Sequence, residues 1–72
     1  EKEKHRRAIE AYDKFLELSQ DDSYALGRKG IALNALGMQD EARACLEEAV
    51  RLDANNREAA NWLKTMSEGG GT

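Results

Sequence analysis

Apolar residues in this chain recur every three or four positions, and nowhere do they alternate with polar ones for long enough to make a strand. The pattern breaks into four helical segments. In the first, from residue 3 to 19, Ala8, Tyr12 and Phe15 follow one another at i, i+4 and i+7, with Ile9, Leu16 and Leu18 widening the stripe. In the second, from 23 to 36, Leu26, Gly30, Leu33 and Leu36 share a side. Asp22 is placed to cap its start, and Gly37 suits the position after its end, where positive φ is cheap only for glycine. The third, from 41 to 53, carries Ala42, Leu46 and Ala49 behind Asp40 as a cap. The fourth, from 57 to 68, carries Ala59, Leu63 and Met66 behind Asn56. Short connections without proline make consecutive helices antiparallel.

The chain resembles itself at an offset of 34 residues. Ala8 falls on Ala42, Tyr12 on Leu46, Phe15 on Ala49, Leu16 on Val50 and Leu18 on Leu52. Asp21 and Asp22 fall on Asn55 and Asn56, and Ala25 on Ala59. The apolar positions and the caps match, while the exposed positions differ freely. One helix–turn–helix unit used repeatedly accounts for both facts.

That period, with these residues, resembles the tetratricopeptide repeat (TPR) family. Residues 23–56 are similar to one full repeat. Gly30 stands at the family's first-helix glycine, with Leu26, Lys29 and Leu33 at its Trp, Leu and Tyr; Ala42, Leu46 and Ala49 stand at its second-helix Ala, Phe and Ala. Ala54 stands where the family has proline. Residues 3–22 then correspond to the second helix of a preceding repeat and 57–68 to the first helix of a following one. The expectation is an all-α domain over residues 1–68, with about four helices stacked as a short α–α superhelix. A short disordered tail is expected at 69–72. Gly30 and Ala42 should let their two helices approach closely, with Tyr12, Phe15 and Leu46 filling the space to the next hairpin. The alternative is a plain helical bundle, in which the fourth helix folds back on the first.

Charge and composition narrow the function. The net charge of −3, with basic residues mixed among acids near the start, argues against a surface that tracks phosphate backbones. No apolar run approaches the roughly 20 residues of a membrane span. The lone cysteine, Cys45, excludes an intrachain disulfide and makes a reducing, cytoplasmic setting the default. Cys45 reads as a small buried hydrophobe and His5 as a solvated residue. One Cys and one His make no zinc cluster, and no glycine-rich loop precedes a helix to hold a phosphate. No catalytic activity, metal or cofactor is expected. The start without Met and the Gly69–Thr72 end suggest a piece of a larger protein.

The resemblance implies a protein or peptide partner held on the concave side, which the first helices line. It selects Tyr24, Gly27, Arg28, Ile31, Asn34 and Ala35, and then Glu58, Asn61, Trp62 and Thr65. We take Tyr24, Arg28, Ile31, Asn34, Asn61 and Trp62 as the candidate binding residues. Arg28 suits a partner carboxylate, the asparagines a peptide backbone, and Tyr24 and Trp62 are of types enriched at binding hot spots. Some family members grip a chaperone's C-terminal carboxylate with Lys and Asn; here Gly27 and Ile31 stand in the first such places, so that clamp is not expected. A second possibility is an assembly role, with apolar faces at both ends driving self-association.

Overall fold

A computed structural model describes residues 2–70 of the chain. They form four α-helices: α1 (Lys2–Leu18), α2 (Ser23–Ala35), α3 (Gln39–Leu52) and α4 (Arg57–Gly70). Of the expected tail, Gly71 and Thr72 lie outside the described residues, while Gly69 and Gly70 end α4.

Each helix boundary has a local cause. The Asp22 carboxylate accepts a 2.8 Å hydrogen bond from the backbone N–H of Ala25, three residues into α2. At the other end Gly37 adopts φ 85°, the N–H of Met38 donates to the Leu33 carbonyl, and that of Gly37 donates to the Asn34 carbonyl. This is the paired closure that satisfies the last carbonyls of a helix through a left-handed glycine. Asp40 is not the cap expected for α3. The helix begins two residues earlier behind Met38, which makes no side-chain capping bond, and Asp40 and Glu41 lie in the first turn. Their charge there favours the positive end of the helix dipole instead. At α4, Asn56 Oδ1 accepts from the Ala59 N–H at 3.1 Å, the capping role its place in the repeat implies.

Packing runs in chain order. α1 lies on α2, α2 on α3, and α4 on both α3 and α2; among the described residues α1 does not touch α4. The bundle alternative requires that missing contact, so the helices stack as an array. The core is Leu33, Ala42, Leu46, Ala49, Ala59 and Met66, with Leu26, Ile31, Trp62 and Leu63 half-buried around it. It sits between α2, α3 and α4. Small residues bring the helices together. A Cβ on Gly30 would meet Leu46 Cγ at 2.7 Å and the Ala42 carbonyl oxygen at 3.1 Å, closer than any alanine there could sit. Leu46 therefore packs within the hairpin, against Gly30. Phe15, expected to fill space, is 48% exposed.

Candidate partner-binding face

The α2/α4 face begins with an asparagine. Asn56 Nδ2 donates to the Ser23 carbonyl at 3.2 Å and to Ser23 Oγ at 2.9 Å, while Ser23 Oγ donates to the Ala49 carbonyl at 2.6 Å. One side chain thus caps α4, holds the start of α2 and, through Ser23, reaches the end of α3. Gly27 opens the space beside it: a Cβ there would lie 3.4 Å from Asn56 Nδ2 and 3.6 Å from the Ala59 Cβ. Those are ordinary contact distances, and α4 lies against α2 there.

That docking brings Arg28 to Glu58. The two side chains pair at 2.8 Å across the helices, both about two-fifths exposed. The Arg28 guanidinium also lies 5.6 Å from the centroid of the Tyr24 ring, in the range where a cation is drawn to an aromatic face. Tyr12, Glu58 and Tyr24 together raise the Arg28 pKa, so the guanidinium is fully charged. The sequence reading assigned this arginine to a partner's carboxylate; the structure gives it one of its own, with Tyr12 as a further neighbour of the guanidinium.

The six candidate residues do not form one uniform surface. Tyr24 is open and Arg28 half-open, and both stand on the same stripe of α2. Ile31 and Trp62 are half-buried against the core. Asn34 is half-buried near the C-terminal end of α2, and Asn61 is exposed on α4. Arg28 and Ile31 also line a shallow groove of about 180 Å³ with His5, Ala8 and Tyr12 of α1. His5 is thus half-buried at the groove's edge, and its spacing from Ala8 and Tyr12 on α1 is the signal that places it there.

A second cleft escaped the sequence reading. Ala11, Tyr12 and Phe15 of α1, Asp22, and Tyr24 and Ala25 of α2 line an apolar space of about 350 Å³. The relevant signal was present in the 34-residue offset, because Tyr12 and Phe15 match the fully buried Leu46 and Ala49, yet among the described residues Tyr12 is half-buried and Phe15 is exposed. On the opposite side, Lys29 of α2 pairs with Asp13 of α1 at 2.6 Å, linking those two helices. Cys45 is half-buried nearby, and burial raises its thiol pKa.

No three His, Cys, Asp or Glu side chains among the described residues are grouped so as to hold a metal ion. No described helix is long and apolar enough to cross a membrane.

The comparisons agree with this architecture. The family model described as tetratricopeptide repeat matches residues 23–56, the span from the first residue of α2 to the cap of α4. The chain is 41% identical over 59 residues to a heat shock protein sti1 homolog of Schizosaccharomyces pombe. That match takes in 82% of the chain but 10% of the relative, so the chain spans about a tenth of that protein's length. No solved structure matches significantly. With the period, the close Gly30–Leu46 approach and the in-order stacking already in view, the match at 23–56 places the chain in the tetratricopeptide repeat family, whose fold serves protein interaction.

Proposed function

We propose that this segment binds an extended protein or peptide on the face shared by α2 and α4, as part of a larger protein. The observation that carries the reading is Arg28, stacked on an open Tyr24 and bridged to Glu58. Neither ring nor guanidinium is consumed by the core. An acidic side chain or terminal carboxylate on the partner takes the remaining Arg28 donors, and the Tyr24 ring gives an adjacent apolar group a surface. Asn34 and Asn61 supply amides for the partner's backbone, and Ile31 and Trp62 form the floor. The likeness to a heat shock protein supports a parent protein of that kind, which we place in the cytoplasm.

The test is a titration with acidic peptides, followed by backbone amide shifts and by Trp62 fluorescence. Perturbations should gather on Tyr24, Arg28, Ile31, Asn34, Asn61 and Trp62. Perturbations confined to other residues would sink the assignment of the face.

A second reading, assembly through an open end of the array, has its own support in the uncovered apolar side chains of α1 and the start of α2.

A further inference from the structure

The 34-residue offset carries Tyr24 onto Glu58 and Arg28 onto Trp62. Each of the two helices thus places one ring and one charge at i and i+4, where side chains of a helix are neighbours on one face. The charges are opposite and the order is inverted: ring then cation on α2, anion then ring on α4. Arg28 and Glu58 meet between the helices at 2.8 Å, each about two-fifths exposed, and the guanidinium lies 5.6 Å from the Tyr24 centroid. Among the described residues this is the ion pair that joins α2 to α4, and it leaves their shared face neutral at that point.

We propose that Glu58 is itself a recognition residue of this face, and that the bound segment carries a basic side chain one or two residues from its acidic one. This rests on the α2/α4 reading above and narrows the partner it admits. A partner that brings an acid alone puts two carboxylates around one guanidinium. While the face is wet, water and salt screen that excess charge. Once the partner lies over the face, the screening is lost, and a carboxylate without a cation of its own becomes costly. A partner that brings a base alone makes the same error with the opposite sign. A partner that brings both keeps the cluster neutral and turns one ion pair into two, with its acid on Arg28 beside Tyr24 and its base on Glu58 beside Trp62.

The spacing follows from the bridge. Arg28 and Glu58 are in contact, so the two groups that meet them must also lie close together. Residues one or two apart along an extended segment are separated by about 3 to 7 Å, which long side chains close easily. The half-buried Trp62 ring, one turn beyond Glu58, gives the partner's cation an aromatic neighbour, as Tyr24 does for Arg28.

The test uses capped peptides of equal length and composition, each with a single Glu and a single Lys. In one set the Lys stands next to the Glu or one residue further on, in either direction; in the other it stands at the far end of the peptide, so net charge is unchanged. Isothermal titration measures binding to the wild-type chain and to Glu58→Gln, and backbone amide shifts locate the peptide. The substitution keeps the shape of an exposed side chain, and circular dichroism checks the fold. We expect the wild-type chain to prefer the close spacing by about three- to tenfold in dissociation constant, and Glu58→Gln to erase that preference. Equal affinity for the two sets overturns the proposal and leaves the face standing, as does a preference that survives Glu58→Gln. Peptides that fail to bind, or that bind with amide shifts away from Tyr24 and Arg28, sink the face and the proposal with it.

Discussion

Gly30 and Leu46 face each other so closely that a methyl group on the glycine would come within 2.7 Å of the leucine's Cγ. Leu46 is fully buried and cannot swing aside, and the Ala42 carbonyl at 3.1 Å is backbone. Gly30→Ala gains up to about 1 kcal/mol of helix propensity. It also forces strain of about 1–3 kcal/mol into a filled core. We expect a net loss of about 1–2 kcal/mol, read as a lower urea midpoint. Gly27 is the opposite case. Its nearest neighbours would be 3.4 Å or more away, at ordinary contact, so Gly27→Ala should stabilise the fold by about 0.5–1 kcal/mol. Two changes of the same chemistry, three residues apart, should have opposite signs.

Asn56 serves as cap and as tie. Asn56→Ala removes the acceptor for the Ala59 N–H and the donor to Ser23, and should cost about 2–3 kcal/mol. Asn56→Asp keeps the acceptor and loses the donor, so it should recover about half of that loss. Equal midpoints for the two variants would show that the tie to Ser23 contributes nothing.

Raising the pH should weaken the fold in the alkaline range. The Lys29 pKa is raised, first by its hydrogen bond to Asp13, and the Cys45 thiol pKa is raised, first by burial. In both cases the folded chain holds its proton more tightly than the unfolded chain. The associated stability is therefore complete below the ordinary values of 10.5 and 9.0 and is lost as pH climbs through the raised ones. Urea midpoints should fall between about pH 9 and pH 11. A thiol reagent at pH 8 should label Cys45 more slowly in the folded chain than in urea. Equal labelling rates would mean that the thiol is open.

Arg28 and Glu58 are a surface pair, and their bond should matter more for recognition than for stability. Glu58→Gln should change stability by less than about 1 kcal/mol. On the binding face proposed above, it removes an internal competitor for the guanidinium and should strengthen acidic-peptide binding, whereas Arg28→Gln should weaken it. Isothermal titration with both variants checks the pair of signs.

The helices and their order were readable in the chain because helix periodicity and caps are local. Apolar residues at i, i+4 and i+7, Asp22 before α2 and Gly37 after it depend on neighbours within a turn or two. The start of α3 was misplaced because Asp40 has a capping side chain, yet the tight closure through Gly37 and Met38 leaves the chain already helical by Gln39. The binding residues were less readable. A period of 34 identifies which helix face is equivalent to which, but not what each side chain meets across a gap of thirty residues. Arg28 finding Glu58, and Asn56 finding Ser23, are such meetings.

The amino-acid sequence by itself determined the repeat, the hairpins and the positions that had to be small, since those follow from spacing along one chain. The tertiary structure alone decided which of the two ends is covered. Covering is a property of the assembled surface: Met66 is hidden because α4 lies across α3 and α2, and Phe15 is open because, among the described residues, α2 is the only helix packed on α1 and it leaves that side chain exposed.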